Sequence, residues 1–332
     1  MKKILNDPHQ YVEEMLEGLV AAHPQYYRRV GTQGRVIARA NPPSSGKVGI
    51  VSGGGSGHLP VFTGYVGTGL LDACAIGEVF ASPSVDQMAD AIRAANTGAG
   101  VLRLYGNYGG DIMNFDMAGD MVEMEDIPTT TVILADDVAS APPAEAAKRR
   151  GVAGMVYAFK IAGASAEAGD DLETVTRIAQ EAADACRSVG VALSPCVVPQ
   201  AGKATFEIGE SEMEIGMGIH GEPGVRRGAL KNADAIATEM LDILLKDRPI
   251  EKGDRVSPLV NSLGATPPEE LYILYRILKQ RIEAAGGTIV MPLVGRYATS
   301  MEMAGVSFTL CWLDDRLERL LKAPADCAFW RV

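Results

Sequence analysis

Several signals are missing from this chain, and each absence removes a class of function. No apolar run reaches the roughly 18 residues of a membrane span. The start, Met1-Lys2-Lys3-Ile4-Leu5-Asn6-Asp7-Pro8, turns polar too soon for a secretory signal. The five cysteines (Cys74, Cys186, Cys196, Cys311, Cys327) are odd in number and lack any CxxC spacing. Neither a disulfide framework nor a zinc site is expected, no metal ligands are assigned, and a reducing cytoplasm fits best. Basic residues are outnumbered, 31 against 42 acidic, for a net charge of −11. That balance argues against nonspecific binding to nucleic acid or to an anionic membrane. Nucleotide signatures are missing too. The glycine run at 53–57 is followed by no P-loop Lys-Ser/Thr and shows no GxGxxG register with an acidic residue about twenty positions on, and the chain has no acidic cluster for Mg²⁺.

What remains is a folded, apolar-rich chain of 332 residues, 47% hydrophobic and 22% charged, long enough for two domains. Val12–Val20 reads as a helix with one apolar stripe. Residues 47–51, 101–105 and 130–134 read as strands, alternating with helices over residues 115–125, 144–149 and 172–189. Strand and helix in turn, with glycine loops after strands, describe an α/β domain with a mainly parallel sheet. Near Ser188–Gly190 the texture changes to several short strands, then helices over 233–245 and 268–285 and strands over 255–261, 288–294 and 308–313. The expected fold is therefore two α/β domains, 1–188 with a mainly parallel sheet and 189–332 smaller and mixed.

Histidine is scarce, and half of it lies among glycines. Of four residues, His9 and His23 fall in a polar stretch and read as solvent-facing, whereas His58 closes Gly53-Gly54-Gly55-Ser56-Gly57 and His220 sits within Gly216-Met217-Gly218-Ile219-His220-Gly221-Glu222-Pro223-Gly224. Dense glycine lets backbone approach a ligand, and an imidazole there can bind protons, a metal or a carbonyl carbon. The first loop reads either as a cradle for a phosphate or a hydroxylated ligand, or as a tight turn with a structural histidine. Asp111, in Gly106-Asn107-Tyr108-Gly109-Gly110-Asp111, reads either as a helix N-cap or as a catalytic carboxylate. Asp136-Asp137 reads as a loop or cap pair, since adjacent carboxylates point apart. Glu78 stays open between a solvated charge and a buried partner of a histidine. His220 with Glu222 lacks metal-site spacing.

The chain resembles the dihydroxyacetone-binding K subunit, or K domain, of dihydroxyacetone kinases nearly end to end. The resemblance is carried by Asn6-Asp7-Pro8, by Ser52 to His58, by Gly77-Glu78-Val79-Phe80, by Asn107-Tyr108 with Gly110-Asp111, and by Lys160-Ile161-Ala162-Gly163. In the second half it is carried by Met213-Glu214-Ile215-Gly216 leading to His220-Gly221-Glu222-Pro223-Gly224, and by Leu259-Val260-Asn261. The resemblance implies that His220 holds the keto carbon of a short ketose as a covalent hemiaminal. It implies that His58 hydrogen-bonds the sugar and assists proton transfer, and that Asp111 takes the proton of the terminal hydroxyl. Gly55, Ser56, Gly57 and Gly106 are the expected substrate-lining positions. It also implies that this chain binds no cofactor itself, with Mg-ATP or Mg-ADP held on a separate helical L-type subunit fed in some systems by a phosphotransferase-system protein. The chain's end at Val332 fits that arrangement, and a homodimer is expected.

The sequence departs from the family pattern at several places. Leu59-Pro60 replaces Glu-Pro after the first histidine, Gly106 replaces a substrate-site lysine, Phe62 replaces a further histidine, and Gly264-Ala265-Thr266-Pro267 replaces Gly-Gly-Thr-Pro. The tail after Ala323-Pro324 departs as well. Exchanging lysine for glycine empties volume and removes a charge, so a tetrulose such as erythrulose is an expected alternative to the triose. A non-catalytic ketose sensor acting as a transcriptional coactivator is the rival reading, and retention of His58, Asp111 and His220 together favours the enzyme.

Overall fold

The computed structural model describes residues 2–332; Met1, the first residue of the polar start, lies outside them. Two sheets stack with helices between and outside them. The first comprises β1 (Tyr27–Val30), β2 (Val36–Arg39), β3 (Gly49–Ser56), β4 (Ala73–Val79), β5 (Val101–Gly106) and β6 (Thr129–Leu134), in the order β1-β2-β4-β3-β5-β6. Strands β4, β3, β5 and β6 run parallel, and the β1–β2 hairpin adds antiparallel to β4 at the edge.

The second sheet begins with β7 (Cys186–Ser194). A two-residue ribbon, β8 (Val197–Val198) and β9 (Lys203–Ala204), follows. Then come β10 (Glu212–Ile215), β11 (Arg226–Ala229), β12 (Arg255–Ser262), β13 (Thr288–Ile289), β14 (Leu293–Gly295) and β15 (Ala304–Leu313). The order is β11-β10-β7-β15-β12-β13, with β14 also on β12, and the sheet is mixed. The expected α/β class with a mainly parallel first sheet and a mixed second sheet is observed.

Among the described residues eight α-helices cover the sheets: α1 (Tyr11–Ala22), α2 (Val85–Ala95), α3 (Gly109–Glu123), α4 (Gly154–Glu167), α5 (Leu172–Asp184), α6 (Ala233–Asp247), α7 (Pro268–Ala284) and α8 (Asp315–Leu321). Met88 and Ile92 of α2 and Phe115 and Val122 of α3 pack one face of the first sheet. Ile236, Met240 and Leu244 of α6 and Leu271, Leu274 and Leu278 of α7 pack the outer face of the second. Helix α4 is buried from Gly154 to Ala166 and lies between the sheets, sharing one core with Ile50 and Leu102 on one side and Leu259 and Cys311 on the other. A helix apolar all round has no face to offer water, so it becomes the middle layer. No described helix is long and apolar enough to cross a membrane.

Three local expectations change. The helix expected over 172–189 ends at Asp184, and the boundary expected at Ser188–Gly190 falls inside β7. Residues 186–194 pair with β15 over eight positions, and that ladder overrides a weak helical period. The glycine run after the first strand is itself strand as far as Ser56, with Gly55 opposite Gly77 and Ser56 opposite Val79. A Cβ on Gly55 would meet the Phe80–Ala81 backbone at 2.7–2.9 Å, so only glycine lets that segment cross the strand end. Helix α3 starts at Gly109 rather than near Ile112, which puts Asp111 in its first turn, while Tyr108 holds the N-cap position without a side-chain bond. Asp111 is therefore not a cap. The sequence reading also left out β1, β2, β4, α8 and α2, the last closed by a Ser84–Gln87 capping box.

Lys160 illustrates how tightly α4 is enclosed. Its ammonium is buried and donates to the Leu320 carbonyl (2.8 Å) in the last turn of α8, where the helix dipole favours a cation. Burial lowers its pKa from 10.5 to about 8. Between those values the unfolded chain binds a proton that the folded chain lacks, so stability rises with pH across the window. Denaturant unfolding from pH 7 to 10.5 should therefore show wild type gaining about 1–3 kcal/mol relative to Lys160→Met. Parallel curves would contradict a buried, proton-shedding lysine.

Candidate active site

The two sheets deliver their histidines to one point. His58 follows the end of β3 through Gly57, whose φ of +107° suits glycine and whose carbonyl accepts from Met301 N at 2.8 Å. The His58 ring is buried, its Nδ1–H donating to the Thr299 carbonyl at 2.7 Å. His220 lies on the loop between β10 and β11, a turn closed by Gly221 N to Gly218 O and Gly218 N to Glu222 O, both 3.1 Å. One carboxylate orders it twice: Glu222 Oε2 accepts from His220 N at 2.9 Å, and Oε1 accepts from the ring Nδ1–H at 3.0 Å. The two imidazoles then meet, Nε2 to Nε2, at 3.0 Å.

Aromatic walls hold the pair. Phe80 stacks on His58 with ring centres 5.0 Å apart, and Tyr108 meets His220 edge-on at 4.8 Å. Phe80 has φ +58°, a left-handed conformation rare for a bulky residue, and the bend aims its ring at both histidines. Two residues on, the Ser82 hydroxyl donates to Asp111 Oδ1. The segment 80–82 thus links the histidine pair to the carboxylate.

Charge states follow from this enclosure. Burial, reinforced by the charge of His220, pushes His58 down to about 3. Burial raises Asp111 to about 6, against the opposing Ser82 hydrogen bond and the His220 charge. Burial would raise Glu222 as well, but its hydrogen bond to His220 and the charge there outweigh it and hold the carboxyl near 2.

Other expected positions resolve differently. Asp136 is buried and accepts from Val152 N, Gly154 N and Ser188 Oγ, fastening β6 to the start of α4 and to β7, and Asp137 pairs with Arg150. Both carboxylates are structural, in keeping with the loop or cap reading. Glu78 is exposed and pairs with Arg35, so it partners no histidine. His9 is exposed, while His23 is half-buried against Tyr27 and Phe329. Ser56 and Gly57 line a cavity shared with Tyr11, Leu59 and Met301. Gly106 ends β5, and a Cβ there would approach Gly151 O and the Tyr108 ring at 3.2 Å and Met155 Sδ at 3.3 Å. The volume expected to be empty is thus partly filled along that direction, although no charge replaces a lysine. Phe62 closes over Gly54 and meets His58 edge-on at 6.5 Å.

With this geometry in place, comparison with known proteins is decisive. The Dak1 domain matches residues 17–329. The chain belongs to the Dak1 family. It is 45% identical over 332 residues, 99% of this chain and 100% of the relative, to the dihydroxyacetone-binding subunit DhaK of PTS-dependent dihydroxyacetone kinase 1 of Listeria innocua. It is 44% identical, over its whole length, to an L-erythrulose kinase of Pectobacterium atrosepticum, of which it spans 56%. Among solved structures it superposes on the dihydroxyacetone kinase of C. freundii with a TM-score of 0.92 at 33% identity, covering 99% of this chain and 60% of that one. A dihydroxyacetone kinase operon co-activator matches at TM-score 0.88 and 32% identity, over 94% of this chain and 96% of that one.

Within this Dak1 chain the residue reading named His58, Asp111 and His220 but passed over Phe80, Ser82, Tyr108 and Thr299, and treated Glu222 only as a failed metal partner. Glu222 had a local signal, two residues after His220 in a glycine turn. Thr299 had none, lying 241 residues from the histidine it holds. Removing the Ser82 hydroxyl takes away a bond that lowers Asp111. Ser82→Ala should therefore move the Asp111 titration above 6, read by carboxyl-carbon NMR. An unchanged titration would show the bond to be unimportant.

Proposed function

We propose that this chain is the ketose-binding subunit of a kinase, holding a short ketose on His220 while a separate nucleotide-bearing subunit delivers phosphate. The observation that carries the reading is the doubly held His220, with His58 against its Nε2 and the raised carboxyl of Asp111 behind Ser82. Glu222 occupies Nδ1, which leaves Nε2 as the reacting nitrogen. Its lone pair forms a bond to the keto carbon, the carbonyl π pair moves to oxygen, and a proton closes the hemiaminal. Only a carbonyl compound is anchored in this way, so glycerol is refused despite its similar hydroxyls. In the second step Asp111, ionised above about 6, accepts the proton of the terminal hydroxyl as that oxygen attacks phosphorus.

Substrate and donor follow from what the relatives are named for. Kinases of dihydroxyacetone and of erythrulose match at nearly equal identity, and the uncharged Gly106 suits a four-carbon ketose as well as a triose. A relative matched over its full length is PTS-dependent, which favours a phosphotransferase protein recharging Mg-ADP on the partner. Exposed Met113 and Met117, one turn apart on α3 just beyond Asp111, offer that partner an apolar foothold. A homodimer in the cytoplasm completes the proposal. The similarity to an operon co-activator favours one alternative, a ketose sensor. It uses the same His220 but needs no Asp111.

Two variants separate these steps. Native intact-protein mass spectrometry with dihydroxyacetone and with erythrulose should show an adduct on wild type and none on His220→Ala. Asp111→Asn should keep the adduct and lose about 10²–10⁴-fold in phosphoryl transfer with the partner subunit present. A ketose adduct that persists in His220→Ala sinks the proposal, and full turnover by Asp111→Asn removes the base.

A further inference from the structure

Counting protons on the two imidazoles leads to a state that neither ring shows alone. A neutral imidazole carries one N–H and one lone pair. The Thr299 carbonyl only accepts, so the Nδ1 of His58 facing it at 2.7 Å carries hydrogen. Both Glu222 oxygens also accept, one from the His220 backbone N–H and one from the ring, so the Nδ1 of His220 carries hydrogen too. If both rings were neutral, two lone pairs would face each other across 3.0 Å. That contact is repulsive, whereas a proton on the Nε2–Nε2 axis turns it into a charge-assisted hydrogen bond. Turning either ring over would set a C–H against Thr299 O or Glu222 and forfeit a bond that the fold supplies.

We infer that the resting site stores three protons on two imidazoles, with Thr299 and Glu222 as the positioning residues that impose this count, and that the shared proton is the one delivered to the ketone oxygen. The inference rests on the ketose-capture reading above. It assigns a role to two groups outside the reacting set. The extra positive charge lies against the Glu222 carboxylate, so the triad His58–His220–Glu222 is neutral as a unit. The other charged or titratable groups around the pair are Asp111 on α3, the Tyr108 hydroxyl before it, and Arg150, which donates to Gly216 O and pairs with Asp137. Phe80 contributes only an apolar wall. The shared proton lies between the two Nε2 atoms, with Glu222 facing it from the His220 side.

The step balances without exchange with water. Nε2 of His220 passes the shared proton to Nε2 of His58, and its freed lone pair bonds to the keto carbon. The π pair goes to oxygen, which takes the proton from His58. The product is a C–OH, a neutral His58, and an N-substituted imidazolium at His220 that still faces Glu222. The net charge is +1 on the imidazoles before and after. The oxygen's proton comes from buried His58, which would otherwise have to be recharged from solvent at this moment. A stored proton removes that need.

The test is ¹⁵N NMR of histidine-labelled, ketose-free protein at neutral pH, with His58→Asn and His220→Asn used for assignment. Three of the pair's four ring nitrogens should carry hydrogen and one should keep its lone pair. Glu222→Gln, which keeps the size but removes the charge, should drop the count to two and slow capture of dihydroxyacetone by at least about tenfold, and Glu222→Asp should restore the third proton in part. Two lone-pair nitrogens in wild type, or an unchanged count in Glu222→Gln, would overturn the inference. Because the proton count is read without ketose, it stands or falls independently of the adduct experiment on His220.

Discussion

A 3.0 Å contact between two imidazole nitrogens, one from each sheet, is the constraint around which the molecule is arranged. Such a contact is stable only when a proton lies between the nitrogens and a negative charge lies close by. Glu222 supplies the charge, the Thr299 carbonyl fixes the ring of His58, and Phe80 and Tyr108 pack against the two rings. Burial lowers the proton affinity of His58 and raises that of Asp111, while the hydrogen bond to His220 holds Glu222 low.

Holding two loops from different sheets to that tolerance requires a rigid middle. Helix α4 provides it, buried between the sheets and tied to α8 through Lys160. Asp136 fastens β6, α4 and β7 through one carboxylate. The buried polar groups of the interior are thus joints between layers, and the mixed second sheet carries its histidine loop on a strand pair anchored to β7.

The candidate residues were legible in composition and motif because that signal depends on residue type. Scarce histidine beside crowded glycine pointed to His58 and His220, and the run from Gly106 to Asp111 pointed to a carboxylate at a helix start. The same reading left Asp111 open between a cap and a catalytic carboxylate, started its helix near Ile112, and treated the first glycine run as loop. In both places long-range neighbours decide: Ser82 claims the Asp111 carboxylate, and the Phe80–Ala81 backbone crosses a strand that only glycine leaves open. The helix expected to Val189 failed similarly, since residues 186–194 find their partner more than a hundred positions away in β15.

By itself the amino-acid sequence determined the α/β class, the two-sheet organisation and the family, and it singled out His58, Asp111 and His220. Those follow from local period, turn chemistry and short motifs, which neighbours along the chain can express. Tertiary structure alone decided which nitrogen of His220 is free, that His58 faces it, and that Glu222 and Thr299 set their protons. Hydrogen bonds across 162 and 241 positions make those choices, and no local pattern encodes a distance between two sheets.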